Sequence, residues 1–376
     1  MDEKNYEKAV ELRRKLHTRP ELSGREVWTR HYLIEFLQAN TTRLDIVDRG
    51  KPYFYAVYRA GADLPTLAFR ADFDALPIPE TIDLPWGSQT PGVSHKCGHD
   101  GHSAGLAAFA LEVDQKGAAC NVVFLFQHGE ETGIGAREAK EVLAAEGVDE
   151  IYGLHNSSGF DAGTVALKDG VVQMASRGLS AFFSGTPSHA GYPELGKNPS
   201  FAMADAVAQL PQLVQDSGRQ GQVLCTIVQM SAGGPDFGVQ ASEGVLRLTL
   251  RAGVERELDA LQRNIEGLVR SLAEEQGLEV RFELADVFPE TTNDPACADK
   301  VRAACRVVGV PQVEMTAPLR PSEDFGGYCK SCPAAFFYVG NGKDHPPIHD
   351  AAFDFRDQNI RTAVAVFSAL AGVPAD

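Results

Sequence analysis

No stretch of this chain approaches the roughly 18 uninterrupted apolar residues of a spanning helix, so none is expected to cross a membrane. Basic residues are scarce beside acidic ones: 35 Lys and Arg against 51 Asp and Glu leave a net charge of −16. Such a surface repels phosphate backbones and anionic lipid, which argues against nucleic acid and membranes as partners. The opening MDEKNYEKAVELRRKL has charges throughout and lacks the apolar run of a secretory leader, so a cytoplasmic protein is expected. Cysteine is sparse and odd in number, seven in all, which argues against a disulfide framework. Any special cysteine is then a ligand or a nucleophile. Internal repeats and low-complexity linkers are also missing.

What is present is an ordinary folded composition, 44% hydrophobic and 23% charged, in 376 residues. That length predicts two domains. Helical spacing of apolar residues marks NYEKAVELRRKLHT from Asn5 and WTRHYLIEFLQAN from Trp28, with a break between them at Pro20 to Gly24. Runs of strand length follow: YFYAVYR from Tyr53, TLAFR from Thr66, NVVFLFQ from Asn121 and EIYGL from Glu150, the later ones separated by helical stretches. This alternation predicts an α/β domain with a mostly parallel sheet flanked by helices.

Between about Gly178 and Asp286 the order changes to strand, helix, two strands, helix, strand, which predicts a compact α+β unit. NDPACADKVRAACRVVGV is again helical and AAFFYVG reads as a buried strand, so the tail is expected to return to the first sheet. The expected arrangement is a discontinuous catalytic domain, 1–177 with 288–376, and an inserted domain, 178–287.

The polar clusters fall at the ends of the predicted strands. TLAFR runs into Ala71-Asp72-Phe73-Asp74, NVVFLFQ into His128-Gly129-Glu130-Glu131, and EIYGL into His155-Asn156, while AAFFYVG leads by a short loop to His345 and His349. In open α/β sheets ligands sit beyond the carboxyl ends of the strands, so these loops should converge. A fifth cluster, His95-Lys96-Cys97-Gly98-His99-Asp100-Gly101-His102, packs a thiol, three imidazoles and a carboxylate just before a helix. Imidazole and thiolate suit a borderline transition metal better than magnesium or calcium.

Glu130 and Glu131, adjacent in extended backbone, should point opposite ways, one to a metal and one to substrate. A carboxylate beside a metal that is not itself a ligand can take a proton from water and return it to a leaving amine. Asp72, near the histidines, is expected to orient an imidazole from behind. His102 reads as a helix-capping or solvated residue, and His95, His128 and His345 as structural. Cys329-Lys-Ser-Cys332 has redox-like spacing but precedes a strand, so it reads as loop structure. Glu323 and Asp324 either cap a turn or sit near the metals.

These residues resemble a known family, the M20 metallopeptidases, in the aminoacylase and amidohydrolase branch that includes auxin-conjugate hydrolases and N-acetyldiaminopimelate deacetylases. The resemblance rests on LHTRPELSGRE (from Leu16), FRADFDALPIPE (Phe69), HKCGHDGHSAG (His95), FLFQHGEETGIGA (Phe124), YGLHN (Tyr152), SHAGYP (Ser188), SEDFG (Ser322) and PPIHD (Pro346), in the family's order. It implies that Cys97 bridges two divalent ions, zinc or manganese with nickel or cobalt as alternatives. His99 and His155 would complete one ion, Glu131 and His349 the other, with Glu130 as general base.

The resemblance further implies that His189 stabilises an oxyanion, that Arg251 holds a substrate carboxylate, and that the inserted domain serves as a lid and homodimer interface. The implied reaction is hydrolysis of the amide bond of a small N-acyl amino acid, N-acetyldiaminopimelate being one candidate. A dipeptidase or carboxypeptidase of the same superfamily and a non-catalytic metal-binding homologue are the alternatives.

Overall fold

The computed structural model describes residues 1–215 and 222–375. The chain divides into two compact units, one of Met1–Val172, Thr291–Ala317 and Glu323–Asp376, the other of Gln173–Glu290 and Pro318–Ser322.

The first unit is built on an eight-stranded sheet in the order Asp45–Val47, Phe54–Tyr58, Asn121–Gln127, Thr66–Asp72, Glu150–Ser158, Ala334–Gly342, Val165–Leu167, Gln312–Glu314. Its centre is parallel: Thr66–Asp72 pairs in parallel with Asn121–Gln127 and with Glu150–Ser158, which pairs in parallel with Ala334–Gly342. Thr66–Asp72 and Asn121–Gln127 are buried along their whole length. This is why they read as continuous apolar runs with no alternation. Phe54–Tyr58 departs from the parallel pattern and lies antiparallel to Asn121–Gln127. Residues 59–65 are too few for a parallel crossover, which takes a dozen or more, so the chain must reverse direction there.

Helix His99–Lys116 is buried from His99 through Asp114 and packs against Glu3–Thr18 and Asn359–Ala371. Its polar residues are matched: Glu112 accepts from Asn5 Nδ2 (2.8 Å), and Asp114 from the Thr42 and Arg43 amides (2.9 and 2.6 Å). Phe69, Phe109, Phe124 and Phe367 fill the core between this helix layer and the sheet. Among the described residues no helix is long and apolar enough to cross a membrane.

The second unit is a four-stranded antiparallel sheet, ordered Glu279–Phe288, Ala175–Ser184, Glu243–Ala252, Val223–Ala232. Helices Pro199–Gln215 and Glu255–Glu275 cover it, burying Leu258, Leu261, Ile265 and Val269 against Leu179, Phe183, Leu246 and Leu248. Its first and last strands are neighbours, Ser176 opposite Phe288. The unit therefore begins and ends at adjacent points, as an insertion between two elements of another domain requires.

Candidate metal centre

The carboxyl ends of four central strands, with the loops that follow them, carry the polar clusters. Thr66–Asp72 ends on Asp72, with Asp74 two residues on. Asn121–Gln127 runs into a turn in which Gly129 takes φ 59°, opening a short 3-10 turn Glu130–Thr132. Glu26 holds that turn, accepting from the Gly129 N–H at 2.8 Å. Glu150–Ser158 carries His155 and Asn156 within the strand itself. After Ala334–Gly342 a loop brings His349 back, and its N–H donates to the Lys96 carbonyl at 2.7 Å. Cys97 and the left-handed Gly98 immediately precede helix His99–Lys116.

These loops converge on the Cys97 sulfur. Its Sγ lies 3.3 Å from His155 Nε2 and 3.3 Å from His349 Nε2. Glu131 Oε1 lies 3.6 Å from His349 Nε2 and 3.8 Å from His99 Nε2. Two donor triplets, Cys97 with His99 and His155, and Cys97 with Glu131 and His349, each fall within 4.8 Å and share the thiol. Ligands held about 2.1–2.3 Å from one ion stand roughly 3.5 Å apart, so each triplet has the spacing of a metal shell. His99 Nε2 and Glu131 Oε1 are buried without a hydrogen-bond partner. Burial of such groups is costly unless a ligand satisfies them. The donor set thus fits a pair of divalent ions.

The groups behind the donors fix their orientation. Asp74 Oδ1 meets His99 Nδ1 at 3.0 Å, while its Oδ2 accepts from the Glu131 N–H (3.0 Å) and the Ser23 hydroxyl (2.7 Å). One carboxylate thereby sets two of the expected ligands, leaving His99 Nε2 to face the centre. His155 Nδ1 donates to the Asn156 carbonyl at 2.6 Å, which likewise frees its Nε2. Asp72 stands behind a different ring: it accepts from Arg70 Nη1 (2.6 Å) and from His102 Nδ1 (2.7 Å) and is 3.9 Å from His99. His102 is only 3% exposed, so the expectation of a capping or solvated residue is corrected. The Phe355 ring and Asn156 enclose it.

Burial, then the carboxylates of Glu131 and Glu130, push the Cys97 thiol well above its usual range. Burial opposes a charge on His99, but Asp72 and Asp74 outweigh it and raise the ring to about 10. His155 is driven well down by burial and by His102 and His99, which keeps it neutral. As ligands of a cation, Cys97 and His99 would have to shed protons, a loss that the positive charge favours. Glu130 is raised well above the carboxylate range by burial, then by Glu323 and Glu131. Its Oε2 lies 3.9 Å from His99 Nε2, and its Oε1 accepts from the Asp324 N–H at 3.4 Å.

Arg70, within an apolar strand, pairs with Asp72, Glu323 (3.0 Å) and Asp324 (2.7 Å), and Glu323 also accepts from the Phe325 N–H at 3.1 Å. Arg70 and Glu26 were missed in the sequence as site-building residues, and Asp74, named there in the strand-end cluster, was given no imidazole to orient. An arginine inside a continuous apolar run was the available signal for Arg70.

His189 and Arg251 belong to the second unit. His189 is exposed, its Nδ1 accepting from the Gly191 N–H at 3.0 Å. Arg251 Nη1 donates to the Arg320 carbonyl and the Ser322 hydroxyl, both at 2.8 Å. The remaining histidines lie apart from the donor triplets: His128 meets Glu138 (3.2 Å), His345 Nδ1 meets the Pro346 carbonyl (2.9 Å), and His95 is buried beside His17. Burial pushes both Cys329 and Cys332 up to about 12, the reverse of a reactive thiol.

The chain is 31% identical to an N-acetyldiaminopimelate deacetylase of Leuconostoc citreum, over 96% of this chain and 95% of that one. It is 28% identical to an N-acetylcysteine deacetylase of Bacillus subtilis, over 98% and 97%. The crystal structure of a dinuclear metal-binding M20 peptidase from Bacillus subtilis superposes with a TM-score of 0.83 at 26% identity, covering 99% of both chains. Residues 68–372 match the pattern of peptidase family M20/M25/M40, and the chain belongs to that family.

Proposed function

We propose that the protein is a metal-dependent amidohydrolase that releases the amine of an N-acyl amino acid. The observation that carries this reading is Glu130, a buried carboxylate beside two donor triplets that share one thiol. In this reading Cys97 would serve both ions, with His99 and His155 holding one and Glu131 and His349 holding the other. The proposed ions are zinc or manganese, with nickel or cobalt as alternatives; the thiolate and imidazole donors favour zinc, and the Glu131 carboxylate accommodates manganese. Bound ions supply Lewis-acid polarisation of the scissile carbonyl and lower the pKa of water.

Glu130 takes the proton of the attacking water and returns it to the leaving nitrogen. Its burial and the Asp324 N–H donated to its Oε1 at 3.4 Å hold it in place for that shuttle. His189 stabilises the oxyanion. Arg251, whose Nη1 donates to Arg320 and Ser322, is proposed to hold the substrate carboxylate.

The named relatives act on N-acetyl amino acids, which favours an acetyl group and an amino acid such as diaminopimelate or cysteine. The second unit, residues 178–287 in the sequence reading, is proposed as lid and homodimer interface. Its edge strand Val223–Ala232 exposes Ile227, Val228 and Met230 beside unpaired backbone.

The test is a screen of N-acyl amino acids and unblocked dipeptides against zinc- or manganese-loaded protein, with released amines identified by mass spectrometry. N-acyl turnover is expected, and Glu130→Gln should lower kcat by about 10²- to 10⁴-fold with metal content retained. Inactivity across a broad acyl panel with metal bound would overturn the reading, and a preference for dipeptides would replace it with a peptidase.

A further inference from the structure

His102 is used by none of the chemistry above, yet it is buried among the elements that carry the ligands. It lies three residues after His99, so both project from the same side of the first helical turn. Its Nδ1 faces Asp72, itself fixed by Arg70. Its Nε2 lies 3.1 Å from both the backbone N–H and the side-chain Oδ1 of Asn156, so it bonds this one residue either as acceptor or as donor. Asn156 directly follows His155, and its Nδ2 donates to the Cys97 carbonyl at 3.1 Å. The His102 ring also meets the His155 ring edge to face, centroids 4.5 Å apart.

Cys97 and His155 come from a loop and from a strand distant in sequence, and their donor atoms are 3.3 Å apart. Asn156 ties the backbone of one to the backbone of the other, and His102 ties Asn156 to the end of strand Thr66–Asp72. The glycines of the motif make room for this. A Cβ on Gly98 would stand 2.0 Å from Asn156 Oδ1, and one on Gly101 would stand 2.4 Å from the Phe355 ring that covers His102.

We infer that His102 is a positioning residue which, through Asn156, holds Cys97 and His155 as a preformed pair of metal ligands. The inference rests on the proposed ligand roles of Cys97 and His155. Cobalt(II) binding to the full-length metal-free protein reads it out, since a thiolate–cobalt bond gives a near-ultraviolet charge-transfer band and chelator competition gives the dissociation constant. His102→Leu should lose about 10- to 100-fold in cobalt affinity, the usual effect of removing a group that orients a ligand, and the band should weaken. His102→Gln, whose amide reaches toward Asn156, should keep most of the affinity. His102→Asn, which reaches only Asp72, should not.

Wild-type affinity and band in His102→Leu would overturn the inference. If that variant does not fold, equal cobalt affinity in His102→Gln and His102→Asn overturns it instead. Cys97→Ser separates this inference from the reading beneath it. An undiminished band in Cys97→Ser removes the Cys97 ligand and the positioning role together, whereas a band lost there but unchanged in the His102 variants removes the positioning role alone.

Discussion

Gly98 shows how tightly single residues are specified around the centre. It takes φ 95°, and an added methyl would meet Asn156 at 2.0 Å and Phe355 at 3.0 Å. Gly98→Ala should therefore cost about 1–3 kcal/mol from backbone strain alone, with bound metal lost as well. Gly105, on the same helix, is the contrast: its methyl would meet only the Ala363 Cβ, at an ordinary 3.8 Å. Gly105→Ala should stabilise by about 0.4–1 kcal/mol through the unfolded chain. Urea unfolding and metal analysis of the two variants check this, and equal effects would contradict the crowding argument. The proposed ligands were legible because they sit in polar motifs at or just beyond strand ends or, for Cys97 and His99, at the start of a helix. Which aspartate stands behind which imidazole was not. Asp72 and Asp74 are equivalent in spacing, and only the packed backbone sends Asp74 to His99 and Asp72 to His102.

At the scale of elements, Arg70 joins strand Thr66–Asp72 to the Glu323-Asp324-Phe325 turn. Burial disfavours its charge, but Glu323, Asp72 and Asp324 together raise its pKa well above the usual value. Arg70→Met would leave buried carboxylates without a counter-ion, a loss of about 3–5 kcal/mol. Adding Asp324→Asn should recover part of that loss, because one stranded charge is removed. A double-mutant cycle by urea unfolding measures the coupling, and strict additivity would show that the pair does not interact. The long central strands were readable as apolar runs, since both faces are covered. The reversal at Phe54–Tyr58 was within reach as well, since residues 59–65 are too few for a parallel crossover. The short strands Val165–Leu167 and Gln312–Glu314 are too brief to show any periodicity.

For the whole molecule the acid balance becomes a pH dependence. Burial, reinforced by Asp74, raises Glu26 to about 8; burial also raises Glu323 to about 8 and Asp324 to about 6, Arg70 only partly offsetting it. A carboxyl held above its unfolded value favours the fold in its neutral form. Its contribution is complete below the unfolded pKa and is lost as pH rises through the folded one. Glu80 runs the other way: burial opposes its charge, but hydrogen bonds from His17 and Lys96 bring it down to about 2. Its contribution is present above the unfolded value and lost as pH falls toward about 2. Through these carboxyls the metal-free protein should lose stability as pH rises from the unfolded value, 4.5 for glutamate, to about 8. Metal should reverse the trend, because Cys97 and His99, as the proposed ligands, would surrender protons on binding and affinity would then rise with pH. At a free metal concentration 100 times Kd the gain is about 2.7 kcal/mol, and it grows as Kd falls. Calorimetry with and without chelator should show the gap in Tm widening from mildly acid to alkaline solution, and a gap independent of pH would mean that ligand deprotonation is not coupled to metal binding.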